Sequence, residues 1–114
     1  MHELSIAISL IETAEEEAAR HHASAIRAVH LRLGPLAGVE KEALLFSYDL
    51  AAAGTPLEGS QLVIEDAPVA VFCPVCAGRR PVRSLQSFCC AECDTPATEV
   101  LQGRELEVTA LEIE

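Results

Sequence analysis

Apolar residues recur at helical spacing from the start of the chain. Leu4, Ile8, Ile11, Ala14 and Ala18 fall three or four apart, with Glu12, Glu15, Glu16 and Arg20 at or beyond the edge of the stripe. That period predicts an amphipathic helix over residues 4–20. From Ile26 the period drops to two. Val29, Leu31 and Leu33 alternate with Ala28, His30 and Arg32, which predicts a strand over Ile26–Leu33. Gly34-Pro35-Leu36-Ala37-Gly38 reads as a turn. A second helix is expected over Glu40–Ala53, with Val39, Ala43, Phe46, Leu50 and Ala53 as its apolar stripe. Glu40 and Glu42 suit its positive end, and Gly54 and Pro56 end it. An extended segment over Leu62–Val71 follows, interrupted at Asp66 and Pro68, and the chain closes with a strand around Glu105–Val108 in the run Glu99–Ile113.

This order (helix, strand, helix, strand, cysteine-rich module, strand) predicts a small α/β fold with two helices packed on a small mixed sheet. The cysteine-rich stretch over residues 72–94 would be inserted before the last strand, leaving 1–71 plus 95–114 as the α/β domain. His21 and His22 fall where the first helix ends, suited to capping or plain exposure. His30 reads as a strand residue with a solvated ring.

Charge narrows the functional classes. With 114 residues, 18 acids and 8 bases, the net charge is −10. Nucleic-acid binding rests on neutralising phosphates, so this chain is a poor candidate for it. Arg79, Arg80 and Arg83 form a local basic cluster, read either as solvated surface or as a docking point for an acidic partner. No run of 18 apolar residues suggests a membrane span, and acids occupy the first twenty residues where a signal peptide would carry bases. A cytoplasmic protein is expected, and in that reducing compartment clustered cysteines read as metal ligands.

Four cysteines form two knuckles, Cys73-Pro74-Val75-Cys76 and Cys90-Ala91-Glu92-Cys93, with residues 77–89 between them. Each Cys-x-x-Cys loop sets two thiolates about 3.5 to 4 Å apart, the edge of a tetrahedron around zinc. Two such loops make a closed site with no open position, which predicts a structural zinc centre at Cys73, Cys76, Cys90 and Cys93. Iron in a rubredoxin-like site and reversible zinc sensing are the alternatives. Cys89, beside the second knuckle, is either a spare thiol or a substitute for Cys90 under oxidation.

The opening Met1-His2-Glu3 carries different chemistry. His2 is bulky, so Met1 is expected to be retained. The terminal amine, the His2 amide and the His2 imidazole can chelate one ion in fused rings, with Glu3 or another group completing the set. Nitrogen–oxygen sites of this kind favour Ni(II) or Cu(II), and they weaken as pH falls because protons compete.

Met1-His2-Glu3-Leu4 at the head of a helix, Val39-Glu40 at the second helix and the spaced knuckles together resemble the HypA family of hydrogenase-maturation nickel metallochaperones, along the whole chain. The resemblance implies Ni(II) binding by His2 and Glu3, with Glu40 as an additional ligand, and zinc on Cys73, Cys76, Cys90 and Cys93. It also implies a nickel-binding GTPase, HypB, as partner and the large subunit of nickel–iron hydrogenase as recipient. The chain departs from the family at Ala91, where relatives carry proline, at Cys89, and in lacking the histidines that flank the knuckles in some relatives. No P-loop or catalytic motif is present, so any nucleotide hydrolysis belongs to the partner. A zinc-ribbon adaptor or a redox- or zinc-sensing interaction protein is the competing reading. An edge strand or the closing strand could pair between chains, so a homodimer is open.

Overall fold

The computed structural model describes residues 2–114. Two helices and six strands follow in the order α1 (Glu3–Arg20), β1 (Ile26–Leu33), a 3-10 turn (Pro35–Ala37), α2 (Lys41–Ala52), β2 (Gln61–Asp66), β3 (Ala70–Cys73), β4 (Gly78–Pro81), β5 (Glu99–Gln102) and β6 (Leu106–Ile113). They form two three-stranded sheets, ordered β2-β1-β6 and β4-β3-β5. The chain divides into two compact units. The first takes residues up to Arg32, Gly38–Glu65 and Glu107–Glu114; the second takes Leu33–Ala37 and Asp66–Leu106.

In the first unit, α1, α2 and the β2-β1-β6 sheet share one apolar cluster. β1 supplies Val29 and Leu31, both fully buried, and β6 adds Val108 and Leu111 at its margin. The helices present different faces from those expected. On α1 the buried residues are Ala7, Leu10, Ile11, Ala14 and Ala18, whereas Leu4 and Ile8 are 48% and 45% exposed. In the first two turns Ala7, rather than Leu4 or Ile8, is the fully buried residue. On α2 the buried face is Leu44, Tyr48 and Ala52, while Phe46 and Leu50 point outward. Tyr48 sets that phase. Its ring is fully buried and its hydroxyl lies 2.6 Å from Ser60 Oγ, which satisfies the one polar atom the ring carries inward. Burial raises the pKa of this hydroxyl, and the Ser60 contact opposes the shift. Each of Leu31, Leu44 and Leu57, removed from water entirely, contributes about 1.5–3 kcal/mol.

Helix α1 ends in a Schellman motif. Ala23 N–H bonds Ala18 C=O at 3.0 Å and His22 N–H bonds Ala19 C=O at 3.1 Å, with His22 left-handed at φ 53°. His22 thus shapes the exit through its backbone, and His21 lies 3.6 Å from Glu17, one turn back. His30 is half-buried rather than freely solvated, with Nε2 2.7 Å from Glu112.

The extended run expected over Leu62–Val71 is two strands in two sheets. β2 stops at Asp66 and belongs to the first sheet; β3 starts after Pro68 and belongs to the second. The closing run divides likewise into β5 and β6, with Gly103 between them at φ 135°. β3 pairs antiparallel with β4 (Val71 opposite Arg80, Cys73 opposite Gly78) and with β5, where a register shift falls at Ala70/Val71. The unit that carries the cysteines is therefore larger than the loop that bears them. It includes β3, β4, β5 and the 34–37 turn, which is held by Gly34 N–H to Glu105 C=O and Leu36 N–H to Gly103 C=O, both 2.8 Å.

Candidate metal centre

Both knuckles are built alike. In the first, Cys73 ends β3 and pairs with Gly78 of β4, so the chain must reverse over residues 74–77. Ala77 makes the reversal in a left-handed conformation, φ 56°. Cys76 N–H then points back at Cys73 Sγ, 3.3 Å away. In the second, Cys90 is anchored by its N–H to Thr95 C=O at 2.8 Å, and Asp94 N–H returns to Cys90 C=O at 2.9 Å with Asp94 at φ 64°. The residue after the second cysteine is left-handed in each loop. The leading cysteines, Cys73 and Cys90, are buried; Cys76 is half-buried and Cys93 exposed.

This construction brings the four sulfurs together. All lie within 4.8 Å of one another, with Cys73–Cys93 at 3.4 Å and Cys76–Cys90 at 3.9 Å. A metal–sulfur bond of about 2.3 Å in a tetrahedron gives sulfur–sulfur edges of about 3.8 Å, so the cage has the dimensions of a tetrahedral four-thiolate centre. The surroundings divide the protons unevenly. Cys93 Sγ lies 3.1 Å from Thr95 Oγ1, and that hydroxyl, followed by the Thr95 amide, lowers the Cys93 thiol to about 6. The Cys76 thiol is pushed up to about 12, first by its hydrogen bond to Cys93 and then by burial.

Two residues outside the cysteine pattern support this cage. Thr95 stabilises the Cys93 thiolate, and Arg80 places its guanidinium against the Cys76 sulfur. Arg80 Nε lies 3.2 Å from a Glu92 carboxylate oxygen, yet it makes no hydrogen bond, so charge alone holds that contact. The signals for both were short spacings, four residues past Cys76 and two past Cys93. Cys89 lies outside the cluster: it is half-buried, bridges Pro96 through the backbone and receives the Ser87 hydroxyl at 3.6 Å. The expected basic cluster is largely neutralised, because Arg80 faces Glu92, Arg83 lies 3.1 Å from Asp94 and Arg79 donates to Gln102.

At the other end of the chain, His2 is exposed in extended conformation, and its carbonyl begins α1 by accepting Ile6 N–H at 3.2 Å. The Met1 amine, the first donor of the expected chelate, lies outside the described residues. Glu3 Oε2 accepts the backbone N–H of Glu40 at 3.1 Å. That amide, then the residue's own, holds the Glu3 carboxyl below its ordinary value. The Glu40 carboxylate caps α2, accepting Ala43 N–H at 2.6 Å and Glu42 N–H at 3.3 Å. Glu3 and Glu40 therefore meet through the Glu40 backbone, and the Glu40 side chain turns to its own helix. This end is strongly acidic. The first unit holds thirteen carboxylate side chains against four bases, nine of the ten net negative charges.

Comparison with known proteins follows this geometry closely. The family described as "Hydrogenase/urease nickel incorporation, metallochaperone, hypA" matches residues 1–113. A hydrogenase maturation factor HypA of Chloroflexus aurantiacus is 49% identical over 112 residues, 98% of each chain. That of Streptomyces avermitilis is 38% identical over 112 residues, 97% of this chain and 86% of its own. The solution structure of the Ni metallochaperone HypA from Helicobacter pylori superposes with a TM-score of 0.69 at 25% identity, over 99% of this chain and 97% of the other. A second HypA solution structure gives 0.74 at 25% identity, over 100% and 97%. With two helices, two small sheets, a four-cysteine cage and similarity along its whole length, the chain belongs to the HypA family of nickel metallochaperones.

Proposed function

We propose that this protein carries Ni(II) at its amino terminus and hands it on for the maturation of nickel–iron hydrogenase. His2 supplies imidazole and main-chain nitrogen together with the terminal amine, Glu3 supplies a carboxylate oxygen, and Glu40 is the further candidate ligand. The observation that carries this reading is the docking of Glu3, the neighbour of exposed His2, on the Glu40 amide. The acidity of the same unit supports it, since a field of one sign raises the local concentration of a divalent cation. Both Glu40 carboxylate oxygens already accept capping amides, so His2 and Glu3 lead the set.

The cysteine cage is proposed to hold Zn(II) as a structural ion. A closed set of four thiolates suits zinc, and a small unit such as this gains much of its folding energy from the metal. No helix among the described residues is long and apolar enough to cross a membrane. The reading places the protein in the cytoplasm as a carrier rather than an enzyme, working with the GTPase HypB and the hydrogenase large subunit and not with nucleic acid.

The test is a Ni(II) titration of zinc-loaded protein with its native amino terminus, beside His2→Ala and a form extended by one residue before Met1. One tight nickel site in the native form, lost in both variants, is expected. Equal binding by all three, or by none, would overturn the terminal chelate and favour a zinc-ribbon adaptor.

A further inference from the structure

Helix α2 has two apolar faces, and the fold uses one. Leu44, Tyr48 and Ala52 are buried. Phe46 and Leu50 recur at i and i+4, so they share a stripe about 160° around the helix from Tyr48. Phe46 is 67% exposed and Leu50 58%. A phenylalanine and a leucine left in water on one stripe mark a surface that another molecule covers. One border of the stripe is acidic: Glu42, one turn before Phe46, and Asp49, three residues past it, are both exposed on the same side. Around them lies the unit that carries nine of the ten net negative charges.

That charge selects the occupant. A second copy of this chain, packed face to face, would set Glu42 and Asp49 against the same residues of its partner. An anionic membrane surface would be repelled for the same reason. We infer that the Phe46–Leu50 face of α2 docks an amphipathic helix of another protein, one with an apolar stripe flanked by lysine and arginine. Helix-in-groove recognition of this kind uses anchors at i and i+3/i+4, and complementary charge fixes orientation and speeds encounter. Phe46 lies six residues beyond Glu40, about 9 Å along the helix axis. A docked helix would thus lie close to the amides that the Glu3 and Glu40 carboxylates accept.

The inference does not depend on the nickel reading, and its test uses metal-loaded full-length protein. The probe is a fluorescein-labelled helical peptide of about five turns, with leucines at i, i+3 and i+4 and lysine or arginine on both flanks. A matched peptide carries glutamate on the flanks. Fluorescence anisotropy should show binding of the basic peptide and none of the acidic one. Phe46→Ser with Leu50→Ser should weaken binding at least about tenfold, since two apolar anchors are lost while the charge is unchanged. Glu42→Gln with Asp49→Asn should weaken it less and flatten its salt dependence. Val75→Ser, at a site 69% exposed in the second unit, should leave it unchanged. All substituted positions are exposed, so circular dichroism should show the fold intact. Wild-type affinity in Phe46→Ser/Leu50→Ser would overturn the inference by showing diffuse charge attraction. So would equal loss in Val75→Ser, a wild-type dimer that the double variant dissociates, or Phe46-dependent binding to phosphatidylglycerol vesicles.

Discussion

The Glu3 carboxylate and the Glu40 backbone amide meet at 3.1 Å across 37 residues of sequence, tying the first turn of α1 to the cap of α2. One oxygen of Glu3 is thereby committed to the fold. The direction in which His2 leaves the helix is set by an element far along the chain.

This contact should be visible in acid. The Glu3 carboxyl is held below its ordinary value of 4.5, so ionised Glu3 favours the folded state. A group with a depressed folded pKa stabilises above its unfolded pKa and loses that effect as pH falls through the folded one. Wild type should therefore melt above Glu3→Ala at neutral pH, and the gap should close as the pH drops below 4.5. Paired thermal melts between neutral and acid pH check it; a gap constant with pH would show the carboxylate is not involved.

Metal uptake by the cysteine cage should release protons, and the pH dependence should have a break. Cys93 titrates at about 6 and Cys76 at about 12 in the free cage. Near neutral pH the proton held by Cys76 must be displaced. Below about 6, Cys93 must be deprotonated as well, so log affinity should fall more steeply there than above. Competition titrations with a chromophoric chelator across that range would measure both slopes. Full removal of the metal should melt the unit that spans Asp66–Leu106 and leave the helical unit folded, which circular dichroism and amide NMR would separate.

Tyr48→Phe should cost about 1 kcal/mol, because it leaves the Ser60 hydroxyl without the partner it meets at 2.6 Å. Tyr48→Ala should cost about 3–5 kcal/mol by opening a cavity in the core. Denaturant unfolding with metal kept in place would give both values.

Gly34→Ala should destabilise by about 2 kcal/mol or more. A Cβ at Gly34 would lie 2.1 Å from the Gly103 carbonyl oxygen, which already accepts Leu36 N–H. The neighbour is backbone and cannot swing aside. A melting temperature within a degree of wild type would show that the 34–37 turn yields freely.

The two knuckles were legible because their spacing is itself a conformation. Two residues between cysteines force a tight reversal, and that reversal gathers the sulfurs wherever the loops face each other. The phase of α2 was not legible. Ala43, Leu44, Leu45, Phe46, Leu50, Ala51, Ala52 and Ala53 surround the helix with apolar groups, so periodicity alone favours no face. Tyr48 chooses, through Ser60 twelve residues away. The division of two extended runs into four strands was marked at Pro68 and Gly103, but the partners that separate them lie tens of residues distant. The same holds for Glu3. Nothing near it in the chain shows that its carboxylate meets Glu40.

The position of β6 sets an order of events during synthesis. β6 is made after every other described element, and it supplies an outer strand of the first sheet. Glu114, just past β6, is fastened to Ser24, Ala25 and Arg27 at the start of the neighbouring strand β1. All four cage cysteines precede β6 in the chain. The first sheet therefore gains its third strand only after the cysteine segment has been made. Helix α1, made before the other described elements, waits longest for the strands that complete its unit.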